Sequence, residues 1–428
     1  MPSAWSSSGS IDRASESLRL ADAAPVRRAL LIALLFAGSG CAGILDRDPD
    51  AAPPPTLTAR FAAMPTDERV VTDIDWYQPT ERVSGALRSV QRRDEIRRFE
   101  RGATVERISR FASVARAADE LDTLALVVLQ DGVVAFERYA PGFGPESRFD
   151  TQSMHRALVA LAVLAAHEDG LLPSLDVPVS NWIREWSVVG DPRALITVRD
   201  LLLGRSGLVD PPYSPTLDSP GLALFLGTDL RTLAITQRPD RHRSVASRGS
   251  AVEVQLMGLV LETIAGTSYA KFLSRRLWQP SGAADATVRL DRAGGSTRVF
   301  CCLQARARDW ARIGELVRTE GRPTGEPVLT AETIAMLLAP NPLNRAQGMH
   351  WLLEPTTLIP RSQYGDVARP PPTAFASRGI VYAGGRGGQR VYVLPAERAV
   401  VVRIGRIRND FDDGRFLNPI IAALTSTP

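Results

Sequence analysis

At 428 residues the chain is long for one domain and short for three, and 44% apolar with 23% charged residues is an ordinary globular composition. Its 51 basic against 47 acidic residues leave a net charge of only +4, and no basic stripe with interleaved aromatics occurs, so no nucleic-acid partner is expected. Three cysteines and four histidines, none at metal-ligand spacing, predict no metal, and nothing predicts a cofactor.

Arg27 and Arg28 precede an apolar run, ALLIALLFAG at 29–38. The run is too short to span a bilayer core of ~30 Å, and it reads as the apolar part of an export signal. It ends in GSGC, which resembles a bacterial lipobox with Cys41 as the lipidated residue. The implied product is a periplasmic-facing lipoprotein in the cell envelope of a Gram-negative-type bacterium, joined to the membrane by its lipid anchor. Gly38 stands where lipoboxes usually carry leucine, so a plain signal peptide and a buried N-terminal helix stay open as readings. On this basis residues 1–41 are the signal segment and 42–59 a Pro-rich tether. Residues 60–120 are a helical extension, from the charged helical spacing in VQRRDEIRRFERGATVERISRFASVARAADEL. Residues 121–428 are the main domain.

That domain opens with two β-branched runs around Asp131-Gly132, the signature of a tight hairpin. An apolar helix follows over 154–170, stopped by Gly170. SLDVPVSNWIREW predicts a loop and short helix, and ITVRDLLLGRSGL a helix ending at Gly207. GQRVYVLPAERAVVVRIG predicts a second hairpin turning at Pro395, and FLNPIIAALTS a C-terminal helix. Strands at both ends with helices between imply an α+β fold. The two hairpins share one antiparallel sheet flanked by helices, with an all-helical insertion beside it.

The hairpin before TQSMHR, then SLDVPVSNWI, ITVRDLLLGRSGL, EVQLMGLVLETIAGTSYAKFLSRRLWQPSGA, CCLQARARDWARIG and GGRGGQRVYVLP occur in an order and spacing that carry a resemblance. Over roughly residues 120–410 the chain resembles the serine β-lactamase and penicillin-binding-protein superfamily. The nearest branch holds the class C enzymes, esterases and 6-aminohexanoate-oligomer hydrolases. The resemblance implies three motifs around one cleft: S-x-x-K on a helix start, a tyrosine in Y-x-N or Y-x-S, and K-T-G or H-x-G on a strand edge. Carried over, the first falls on Ser153-Met154-His155-Arg156, with arginine in the lysine's place. The second puts Gly249 where the tyrosine stands, with Ser250 or Ala251 as its third residue. The third falls on Arg386-Gly387-Gly388, followed by Gln389, as candidates for the cleft and oxyanion hole.

Arginine does not deprotonate in proteins, so Arg156 cannot act as a base, though its charge could stabilise an alkoxide. Losing a general base costs ~10²–10⁴ in rate. Tyr213, His242 and Tyr382 are the candidate substitutes, whereas His155 is expected on a different helix face from Ser153. Ser153 also fits a bare helix N-cap, and Cys301-Cys302 fits either a pair of buried thiols or a vicinal disulfide. The expected function is a member of this fold with Ser153 at the nucleophile position and hydrolysis weak or absent. It would take a small acyl, amide or peptidoglycan-like ligand. The alternative is an active esterase or amidase with a substitute base.

Overall fold

The computed structural model describes residues 56–88, 93, 110–239, 249–324, 326–355 and 372–426. The signal segment with Cys41, most of the tether, the middle of the 60–120 stretch and His242 lie outside the described residues.

β2 (Thr123–Gln130) and β3 (Val133–Tyr139) form the first hairpin. Its turn is Asp131-Gly132, both at positive φ (53° and 72°), the backbone twist that two-residue hairpins require. β8 (Gln389–Leu394) and β9 (Ala399–Gly405) form the second hairpin, and β7 (Val381–Gly385) pairs outside β8. The two hairpins join where β2 runs antiparallel to β9, with Val127 opposite Val402. The resulting sheet has the order β3-β2-β9-β8-β7.

Alternation along these strands sends side chains to two cores. Val127, Leu129, Val391, Val393, Val400 and Val402 pack on one face with α3 (His155–Glu168), α7 (Ala251–Ala265) and α9 (Ala307–Arg318). Leu126, Val128, Tyr392 and Val401 pack on the other, with Val114 and Ala118 of α2 (Ala112–Glu120) and Phe416, Leu417 and Ile420 of α11 (Asp413–Thr425). α9 approaches the sheet so closely that a Cβ on Gly314 would lie 2.5 Å from Val400 Cγ1. α3 is buried on every side from Ala157 to Ala166, which its unbroken apolar sequence requires, and it ends before Gly170 at φ 75°.

A second sheet, not anticipated from the sequence, has the order β1-β5-β6-β4. It comprises β1 (Thr80–Val83), β4 (Arg148–Asp150), β5 (Ala286–Arg289) and β6 (Gln304–Arg306). The 60–120 stretch, expected to be helical, thus contributes a strand as well as α2 and the end of α1 (Leu57–Ala63). The remaining short helices are α4 (Val198–Leu202), α5 (Pro220–Leu226), α6 (Leu230–Ile235), α8 (Tyr269–Leu273) and α10 (Ala331–Leu338). α4 is shorter than its sequence suggests. Thr197 and Asp200 close a capping box at its start, and Gly204, at φ 63°, follows its end. Among the described residues no helix is long and apolar enough to cross a membrane.

Candidate active site

β4 runs into a 3-10 turn, Gln152–Met154, that leads directly into α3 and carries Ser153. The turn is fixed from below by Asp150, which is fully buried. Its Oδ1 accepts from the Gln152 backbone N–H (2.9 Å) and side-chain amide (3.0 Å). Its Oδ2 accepts from Arg289 at 2.6 Å, whose guanidinium lies over the Trp76 and Tyr77 rings. These bonds hold Gln152 at φ 54°, a left-handed conformation that costs a non-glycine residue roughly 1–2 kcal/mol. The Thr151 and Cys302 backbone N–H groups tie the turn to the 301–303 segment through Leu303 O and Gln152 O.

Ser153 is half-buried, and among the described residues its hydroxyl makes no hydrogen bond. Met154 is the N-cap of α3 and no side chain caps it, so Ser153 is not placed there as a cap. From the strand side, Gly385 presses on the same turn. A Cβ on Gly385 would fall 2.7 Å from Thr151 O and 3.0 Å from Met154 N, closer than any side chain tolerates. The glycine brought against the serine's turn is therefore Gly385, at the end of β7, and not Gly387 or Gly388. Those two occupy the β7–β8 turn at φ 75° and 86°, against Ile407, Arg403 and Phe411. Arg386 pairs with Asp67, and the Gln389 amide exchanges hydrogen bonds with the Gly405 backbone. Of the glycines near the proposed third motif, the one on the strand, not those in the turn after it, packs against the Ser153 turn.

Arg156 is held by two carbonyls: Nε donates to Phe300 O (3.3 Å) and Nη1 to Gly249 O (3.2 Å). Burial lowers its guanidinium from the ordinary range, and Asp210 and Glu253 oppose that shift. It remains a fixed cation, not a base. Those two carboxylates organise the start of α7. Asp210 accepts from the Ala251 and Val252 backbone N–H groups, and Glu253 forms a capping box with Ser250. Gly249 immediately precedes that cap, at φ 56°. Gly249, the position that the resemblance assigns to the tyrosine, thus has its carbonyl on Arg156 and no side chain to offer.

The candidate substitutes separate clearly. His155 is buried; its Nδ1–H donates to Cys301 O (3.0 Å) and its Nε2 accepts from the Tyr269 hydroxyl (2.9 Å). Burial pushes its pKa down to about 4. Both nitrogens are committed to the core. Tyr382 points to the outer face of the sheet, where it packs on Phe375 and Tyr392 and donates to Glu354 O, so it does not serve the cleft. Tyr213 is partly exposed with its ring edge on Phe225, which in turn meets Phe300. Burial raises its phenol pKa, and Arg386 and Asp67 lie within electrostatic reach of it. Cys301 and Cys302 form a vicinal disulfide, buried beneath the serine's turn.

A residue outside the motifs also reaches this position. His350, at φ 59°, sits beside Gly249: a Cβ on Gly249 would lie 3.2 Å from His350 Cε1 and 3.3 Å from its Nδ1. No motif carries it. The available signal was that the chain has only four histidines, which makes testing each of them practicable.

The Beta-lactamase family model matches residues 111–425. A 6-aminohexanoate-dimer hydrolase from Paenarthrobacter ureafaciens is 25% identical over 330 residues, covering 74% of this chain and 81% of that protein. Among solved structures, a candidate 6-aminohexanoate-dimer hydrolase from Bacillus anthracis aligns with a TM-score of 0.62 at 18% identity, over 83% of this chain and 91% of that one. A class C beta lactamase from Rhodobacter sphaeroides aligns with a TM-score of 0.52 at 18% identity, over 75% and 99%. At these identities the solved structures speak to the fold. The match across 111–425 settles membership: the chain belongs to the Beta-lactamase family, within the superfamily of serine β-lactamases and penicillin-binding proteins.

Proposed function

We propose that this protein is an exported, lipid-anchored member of the family whose Ser153 still accepts an acyl group, with hydrolysis slow for want of the lysine and tyrosine. The observation that carries this reading is the Ser153 turn itself. Its hydroxyl makes no hydrogen bond among the described residues, and Gly385 lies against the turn. The substrate class is a small ester or linear amide, in keeping with the amide-dimer hydrolase that is similar to this chain. Attachment to the cell envelope through Cys41 rests on the apolar run and the GSGC sequence.

A specific observation favours a second reading, binding of a peptidoglycan-like or other acyl ligand without turnover. Arg156 is fastened to two carbonyls and cannot take the serine's proton. Intact-mass labelling with a fluorophosphonate and with a penicillin separates the two. An adduct on wild type that Ser153→Ala lacks supports acylation. An unlabelled wild type refutes it and leaves the binding reading. Mass analysis of the membrane-bound protein tests the anchor: Cys41→Ala should lose the lipid mass and leave the membrane fraction.

A further inference from the structure

We infer that His350 is the proton acceptor for Ser153, occupying the place beside Arg156 that the missing side chain at Gly249 leaves open. The inference rests on Ser153 being an acyl nucleophile.

Of the histidines within the described residues, His155 has both ring nitrogens engaged, and His167 bonds the Leu172 carbonyl beyond the other end of α3. His350 differs. Its Nε2 lies 3.1 Å from Leu201 O, at the C-terminal end of α4. A carbonyl can only accept, so Nε2 carries the hydrogen and Nδ1 of the neutral ring carries a lone pair. Among the described residues that lone pair has no partner. Nδ1 is also the ring nitrogen nearest the Gly249 Cβ position, at 3.3 Å. Gly249 O is in turn an acceptor for Arg156, three residues along the same helical start from Ser153. An imidazole thus abuts the position where a side chain at 249 would begin.

The ring is held there by its neighbours. Met349 N–H bonds Leu337 O of α10, Gly348 N–H bonds Trp351 O, and the Trp351 indole N–H donates to Ala157 O inside α3. His350 itself is left-handed, a conformation that costs a non-glycine residue roughly 1–2 kcal/mol and that the surrounding bonds sustain. The charged groups around it are Arg156 on α3 and, behind Arg156, Asp210 and Glu253 at the start of α7. Burial, with a smaller contribution from Arg156, pushes its pKa down to about 4. It is therefore unprotonated at neutral pH and a weak base, consistent with slow turnover.

The step balances without a further reactant. As Ser153 Oγ forms a bond to the carbonyl carbon of an ester or amide, its proton passes to His350 Nδ1, directly or through one water. The carbonyl π pair moves onto oxygen. The imidazolium returns the proton to the leaving oxygen or nitrogen as its bond to carbon breaks. Water then repeats the sequence on the acyl-serine and releases the acid.

The test compares second-order fluorophosphonate labelling of the full chain, as wild type, Ser153→Ala and His350→Gln, from pH 4 to 9. Glutamine keeps a donor for Leu201 O and removes the Nδ1 lone pair. The expected wild-type rate is level from neutral pH to about 5 and falls as Nδ1 protonates near pH 4. His350→Gln should label at least about 100-fold more slowly, with a rate that rises with hydroxide. His350→Ala should recover labelling when imidazole is added, a response that loss of packing alone would not give. Equal labelling of wild type and His350→Gln, or no rescue by imidazole, overturns the assignment of His350 while Ser153 keeps its role. A wild type that does not label overturns the nucleophile reading and this inference with it.

Discussion

Gly385→Ala puts the geometry of the Ser153 turn to a direct test. The new methyl would sit 2.7 Å from Thr151 O and 3.0 Å from Met154 N, where ordinary contact begins at 3.4 Å. The shortfall is 3.4 − 2.7 = 0.7 Å and 3.4 − 3.0 = 0.4 Å. Both atoms are backbone, so neither can swing aside, and Met154 N–H already bonds Thr151 O across the turn. Either β7 or the turn must move. Overpacking of this kind costs about 1–3 kcal/mol, and displacing a reacting group by ~1 Å costs about 10²-fold in rate. The assay is paired: urea unfolding for stability and fluorophosphonate labelling for the serine. Gly384→Ala is the control on the same strand, because its methyl would meet Arg390 and Leu352 at an ordinary 3.4 Å on the opposite face. A destabilised, slow-labelling Gly385→Ala beside a near-neutral Gly384→Ala is the expected pair. If Gly385→Ala matches wild type in both assays, the claim that β7 defines one wall of the site is wrong.

Asp150→Ala strips the buried Arg289 of its carboxylate and both Gln152 N–H donors of their acceptor, with an expected loss of about 3–5 kcal/mol in urea unfolding; a loss under 1 kcal/mol would show that the turn is held by other bonds. Acid should destabilise the fold through His155, whose native pKa of about 4 lies below the ordinary 6.5. Between those values the unfolded chain binds a proton that the native ring refuses. The contribution is therefore complete above pH 6.5 and lost as pH falls toward 4, by about 2 kcal/mol at pH 5. Unfolding free energies that stay flat from pH 8 to 5 would contradict it. Arg156→Lys restores a group that can lose a proton beside Ser153, and labelling should rise by about 10²-fold. No gain would mean that placement of the oxyanion, not proton transfer, limits the site.

The central sheet was readable because its two hairpins advertise themselves in β-branched runs around Asp131-Gly132 and Pro395. The unbroken apolar run of α3 reads equally plainly as a buried helix. The second sheet was not readable. Its strands have three or four residues, too short for an alternating pattern, and they pair across long separations, as Thr80 does with Arg289. Ser153 is legible in the sequence as the candidate serine just ahead of α3. RGGQ offers glycines next to a cation, as the family motif does, but which glycine packs against Thr151 is a spatial property that sequence does not carry; in the fold it is Gly385. His350 was beyond reach for the same reason. It lies about a hundred residues from Gly249, and only folding brings its ring beside that position.

The pairing of β2 with β9 has a consequence for how the molecule comes into being. Thr123 meets Gly405 across a strand pair, so the middle of the sheet cannot close until nearly the whole chain is available. Until then β2 carries an open edge whose partner has not yet been made, and the face of the helices that packs on the sheet lacks half of its surface. Folding is therefore an end-to-end event. A break or a ribosome stall anywhere before residue 399 should leave a product that exposes apolar surface and draws chaperones and proteases, never a smaller folded version of the domain.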